Sequence, residues 1–297
     1  FVGESLTSDI IIQNVGLADL NWNLSLFNYG RDGSSYTFTN CDQEGNEGPS
    51  QQDCDSEYQG TMLEGFVTVD GGIQQWTVPL SGNYTISVQG AKGGDSNWNG
   101  SHIGGLGAKM QGQFALEAGQ TLNILIGQKG NSSSEGGGGG GTYVVKADDT
   151  PLIIAGGGGG AGGSGEGVNG VTETSGTDGA AGGAGGVNGN GGSAINTNAG
   201  SGSGFYTNGE SNLNGEEYAG KSYLNGGLGG YYSNWGAGGF GGGGNGWGSG
   251  GNGGGAGGYS GGGTSGSSYI GGGGGGSFNS GLDQNNIAGV NSDHGVV

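Results

Sequence analysis

The sequence predicts an all-β protein: a jelly-roll-like β-sandwich that carries an inserted bundle of polyglycine-II-type helices. Three observations predict it. Short stretches in which apolar and polar residues alternate occupy the middle of the chain, separated by turn signals. Glycine supplies 86 of the 297 residues and is unevenly spread, 22 of them in residues 1–135 and 64 in residues 136–297. Within that second part the glycines recur at every third residue over long stretches.

The elements follow in chain order. Residues 9–27 read as two strands; in the second, Leu20, Trp22, Leu24 and Leu26 alternate with Asn21, Asn23 and Ser25, which separates an apolar from a polar face. Residues 36–39 form a shorter candidate strand, and an acidic loop with both cysteines follows. Residues 1–65 together are too short to bury a core alone. They are expected to dock on the next domain or on a neighbouring copy, because an exposed strand edge invites pairing. Residues 66–155 form the sandwich core, with strands predicted over 66–69, 73–78, 84–89, 109–116, 122–126, 143–146 and 152–155. Asp70-Gly71-Gly72, the stretch from Pro79 to Asn83, and Ala118-Gly119-Gln120 mark the turns. No helical period is visible anywhere in the chain.

Residues 156–297 form the third region, glycine-rich and returning to the sandwich at the end; the glycine runs themselves start at Gly136. Gly236, Gly239, Gly242, Gly248, Gly251, Gly254 and Gly257 share one register of three, broken by Asn245. Gly238, Gly241, Gly244, Gly250 and Gly253 share another, broken by Trp247. A period of three belongs to the extended left-handed helix without internal hydrogen bonds. Its N–H and C=O groups must pair with neighbouring segments, which requires backbones to approach where side chains would intrude. Residues 156–297 hold no proline, and aromatics from Phe205 to Phe278 run through them. An ordered bundle is therefore expected rather than a collagen-like or disordered chain.

Two stretches carry a family resemblance. One is Gly72-Ile-Gln-Gln-Trp-Thr-Val-Pro79 with Tyr84-Thr-Ile-Ser-Val-Gln-Gly-Ala-Lys-Gly-Gly94. The other is Leu122-Asn-Ile-Leu-Ile-Gly127 with the run from Gly136 to Gly141 and Tyr143-Val-Val145. Together with Gly271 to Gly276 and Ser277-Phe278, they resemble the glycine-rich extracellular domain of the anaplastic lymphoma kinase and leukocyte tyrosine kinase receptors and related bacterial surface proteins. The resemblance covers residues 66–297 and implies a jelly-roll-like sandwich with inserted polyglycine helices; it carries over no functional residue. In composition alone the tract is similar to phage tail-tip adhesins.

The charge excludes some functions. With 6 basic against 25 acidic residues the formal net charge is −19, which repels nucleic-acid phosphates and anionic membranes. No stretch is long and apolar enough for membrane insertion. Catalysis is not expected. His102 and His294 are far apart in sequence with no ligand spacing around them, no Gly-X-Ser-X-Gly elbow stands in a strand–turn–helix context, and Glu216 and Glu217 are adjacent, so on an extended chain they face opposite ways.

Cys41 and Cys54 lie in a polar acidic segment and are expected to form a disulfide, which places the chain in an extracellular or cell-surface setting. Sequons at Asn23, Asn83, Asn99 and Asn131 are open to glycosylation there. Asp42, Glu44, Asp53 and Asp55 read either as a solvated acidic loop or as oxygen ligands for calcium; no other cofactor is expected. Tyr231, Tyr232, Trp235 and Trp247 read either as caps of the bundle or as contacts for a partner. The expected function is a non-catalytic structural or adhesive module that self-assembles into a surface fibre. The alternative is a domain whose aromatic loops recognise a glycan or a protein.

Overall fold

The computed structural model describes residues 35–180, 182–195, 198–212, 215–232, 236–247, 251–266 and 270–297. They belong to the second of two units, Phe1–Ser34 and Ser35–Val297, into which the chain divides. The strands expected within residues 9–27, the sequon at Asn23 and the aromatic Trp235 lie outside the described residues.

Seven strands arise where the sequence predicted them: β1 (Val67–Asp70), β2 (Ile73–Thr77), β3 (Gly82–Gln89), β4 (Gly107–Leu116), β5 (Thr121–Leu125), β6 (Thr142–Lys146) and β7 (Pro151–Ala155). Two more follow the glycine tract, β8 (Phe278–Asn279) and β9 (Ile287–Asn291). They form an all-antiparallel sandwich of unequal sheets, six strands in the order β1-β2-β5-β6-β7-β8 against three in the order β3-β4-β9. Between the sheets, Trp76, Leu122, Ile124, Val144 and Ile153 meet Ile86, Val88, Met110 and Phe114 in one buried core. The intervening residues of β5, β6 and β7 point the other way. There Leu125, Tyr143, Val145 and Ile154 pack against Phe205, Tyr223 and Phe240 of the glycine tract. The larger sheet is thus covered on both faces, which explains why β6 and β7 are apolar almost throughout.

The acidic cysteine loop contains a helix, α1 (Gln51–Glu57), where none was expected. At seven residues it is too short to display a helical period. Its signal is instead the cap, in which the Ser50 hydroxyl accepts from the Asp53 N–H while the Asp53 carboxylate accepts from the Ser50 N–H at 2.8 Å. The disulfide Cys41–Cys54 is formed and buried; closing a loop of this size contributes about 3 kcal/mol. Gln51 then lies along the outer edge of β1, its side chain accepting from the Val69 N–H at 2.8 Å and donating to the Val67 carbonyl at 3.0 Å. One amide thereby satisfies a stretch of strand edge that would otherwise be open to pairing. The strand expected at 36–39 does not join a ladder. Phe38 instead exchanges two backbone hydrogen bonds with Val297, at 2.9 and 3.1 Å.

The glycine tract satisfies its backbone through neighbours rather than within itself. In residues 136–141 the N–H groups of Gly136 and Gly139 bond to Ala161 and Gly158, those of Gly137 and Gly140 to Asn131 and Gln128, and those of Gly138 and Gly141 to Gly244 and Gly241. The carbonyls repeat with the same period: Gly136 and Gly139 accept from Gly254 and Gly257, Gly137 and Gly140 from Gly94 and Ala91, and Gly138 from Gly239. Every third residue therefore faces the same neighbour, and this segment has six neighbouring segments around it. Residues 253–258 behave alike, with Gly254 and Gly257 bonding to Gly136 and Gly139, and Gly255 and Gly258 to Gly200 and Ser203. Glycine is required because the axes are so close. A Cβ on Gly138 would run into the Gly255 carbonyl oxygen, well inside van der Waals contact. Serine is tolerated where its hydroxyl takes over a lattice bond. Ser277 Oγ accepts from the Gly156 N–H at 2.9 Å and donates to the Val171 carbonyl at 2.6 Å.

Candidate functional site

The two residues that interrupt the glycine registers, Asn245 and Trp247, help to build one aromatic group. A single 3-10 turn, Glu216–Tyr218, delivers Tyr218 to it. The Tyr218 carbonyl accepts from the Asn245 N–H at 2.9 Å, and the Asn245 side-chain oxygen accepts from the Tyr232 N–H at 3.3 Å. Tyr232 then stacks on Tyr218 with ring centroids 4.5 Å apart and planes inclined by 25°. Trp247 closes the group at 5.7 Å from Tyr218 and 5.9 Å from Tyr232. Tyr218 is buried beneath, whereas Tyr231 and Tyr232 are 47% and 41% exposed. The Tyr231 N–H donates to the Glu217 carbonyl at 2.6 Å, which ties the exposed tyrosines to the acidic turn. Burial, the Tyr232 hydroxyl and the Glu217 charge push the Tyr218 phenol up to about 12, so it remains a neutral hydroxyl at physiological pH.

Of the aromatics singled out in the sequence, Tyr232 and Trp247 are thus in ring contact, Tyr231 is exposed beside them, and Trp235 is not among the described residues. Tyr218 was missed. Its signal is indirect, being the aromatic next to the paired Glu216 and Glu217.

The acidic residues of the cysteine loop take separate roles. The Asp53 carboxylate caps α1, and its hydrogen bonds to Ser50 hold it below the usual carboxylate range. Asp55 accepts from the Gln51 side chain at 2.8 Å. Asp42 and Glu44 line a polar surface pocket of about 400 Å³ together with Asn40, Asp293 and His294. Among the described residues no group of three carboxylates, imidazoles or thiolates converges as a metal site would require. The sequon residues Asn83, Asn99 and Asn131 are exposed.

His294 fastens the chain end to this loop. Its Nδ1 accepts from the Lys129 backbone N–H at 3.2 Å, so the proton resides on Nε2, which faces Glu44 at 3.3 Å. Burial and the Lys129 cation, itself 3.0 Å from Asp293, hold the imidazole below its usual range against the opposing pull of Glu44 and Asp293. The native state therefore disfavours protonated His294, while the unfolded chain binds that proton near pH ~6.5. The stabilisation is complete above that pH and is lost as the pH falls through the folded value. Buried Glu135, whose carboxyl is raised by desolvation, acts in the opposite sense. The thermal midpoint of the native chain should accordingly drop more between pH 7 and pH 5 than that of His294→Gln, measured by differential scanning calorimetry; equal drops would count against this assignment.

No family model matches the chain. Over 99 residues it is 36% identical to the leukocyte tyrosine kinase receptor of Mus musculus, a stretch that covers 32% of this chain and 11% of that receptor. The matched stretch thus spans about a tenth of the length of this curated relative, and the similarity agrees in part with the receptor resemblance carried by the chain's strands and glycine runs.

Proposed function

We propose that the chain is a non-catalytic extracellular module in which a β-sandwich and a stiff glycine bundle together present the Tyr218, Tyr232 and Trp247 group, with Tyr231 beside it, to a protein or glycan partner. The observation that carries this reading is the exposure of Tyr231 and Tyr232 on a backbone whose neighbours are cross-bonded on several sides. Exposed aromatics held on a rigid base bury large area at small entropic cost. The disulfide and the similarity to a receptor support the extracellular setting, and no helix among the described residues is long and apolar enough to cross a membrane.

The glycine segments are, in the same reading, polyglycine-II-type helices. The three-residue recurrence of hydrogen-bond partners and the six neighbours around residues 136–141 support this. The functional test is binding of the fluorescently labelled chain to cells. Tyr231→Ala/Tyr232→Ala should lose most of the specific binding while lowering the thermal midpoint by no more than about 5 °C, the cost of the lost ring stacking, and retained binding would remove the aromatic group from the contact.

A further inference from the structure

We propose that the aromatic group receives a basic protein segment and holds an arginine or lysine side chain between its rings and the carboxylates of Glu216 and Glu217. This deepens the reading above and rests on it. Tyr231 and Tyr232 offer exposed rings, and the turn that supplies Tyr218 also supplies two adjacent carboxylates. The Glu216 side chain is 96% exposed, and among the described residues its cation neighbour is Lys221, 3.9 Å from its carboxylate and donating at 3.2 Å to its carbonyl. Glu217 lies against no cation among the described residues, yet its charge reaches the Tyr218 phenol. Tyrosine and tryptophan faces attract a cation through the ring quadrupole, and a carboxylate at the rim supplies the counter-charge. The net charge of −19 adds a field that draws a basic partner in from a distance. A neutral sugar would use the rings and donate hydroxyl hydrogen bonds to the carboxylates, but it would gain nothing from the net charge or from the ring quadrupole.

The experiment titrates the full chain with a fluorescent octa-arginine peptide at physiological salt, with octa-glutamine as the uncharged control. Tyr232→Leu, which keeps bulk but removes the π face, should weaken octa-arginine binding roughly tenfold. Glu216→Gln/Glu217→Gln should weaken it comparably, and a remote pair of the same charge change, Asp70→Asn/Glu117→Gln, should weaken it far less. Equal weakening by the remote pair would show attraction to overall charge only and overturn the proposal. If the tyrosine changes abolish capture of a neutral oligosaccharide such as cellohexaose and leave octa-arginine binding intact, the basic partner is excluded while the contact surface stands. If they alter neither peptide, sugar nor cell binding, both readings fall.

Discussion

Gly138→Ala is expected to lower the thermal midpoint by roughly 10 °C, because forcing extra volume into a filled interior costs up to about 3 kcal/mol and each kcal/mol moves a domain of this size by ~2–4 °C. Gly138 lies in a segment bounded by six others; its N–H bonds to Gly244 and its carbonyl accepts from Gly239. The added methyl would meet the Gly255 carbonyl oxygen, a backbone atom that cannot rotate away. Relief therefore requires moving a whole neighbouring segment, which breaks the bonds of that segment to its own neighbours. Gly82 provides the control, since a Cβ there meets nothing within 4 Å. Gly82→Ala should leave the midpoint within about 1–2 °C, as surface substitutions usually do. Calorimetry on both variants decides the matter: similar midpoints would mean that the lattice yields easily and that close approach does not select glycine.

Phe240→Ala should cost about 3–5 kcal/mol, the usual range for emptying a large buried aromatic site. Phe240 is fully buried and packs with Tyr143, Phe205 and Tyr223 between the larger sheet and the tract. Its ring also fills the space left by Gly48 and Gly72, and its backbone bonds to Gly45 and Gln128, each at 2.8 Å. One residue thus joins the cysteine loop, the turn between β1 and β2, and the glycine tract. Denaturant unfolding should show the loss of stability. Amide exchange should show the tract opening before the sandwich, because the aromatic layer is what fastens one to the other. Phe240→Leu, which retains most of the volume, should recover the larger part of the stability; a loss as great as that of alanine would point to ring geometry rather than filled volume.

Much of the sandwich was legible because its strands alternate. Tyr84, Ile86 and Val88 on β3 and Leu122 and Ile124 on β5 declare one buried face each, and the observed bounds differ from the expected ones by at most two residues. Other parts were illegible for specific reasons. Helix α1 depends on one capping pair and a covalent tether rather than on period. β8 has two residues, and β9 is broken by Gly289 at positive φ. The second face of β6 and β7 could not be assigned, because near-continuous apolar runs do not say what covers each side. In the site, Tyr231, Tyr232 and Trp247 could be singled out by residue type, whereas the buried base Tyr218 could not. Its position follows from one hydrogen bond to Asn245, across 27 residues of chain.

By itself, the sequence determined the alternating strands, the cysteine pair and the period of three in the glycines, since each is a property of neighbours along the chain. Only the tertiary structure decided which segments surround which, that the glycine tract covers the outer face of the larger sheet, and that Asn245 and Trp247, the two breaks in the register, join Tyr218 and Tyr232 in one group. The physical reason is that glycine segments present identical backbone on every side. Any of them could bond to any other, so their arrangement is chosen by the side chains at their ends, where aromatics either dock on the sheet or remain exposed to solvent.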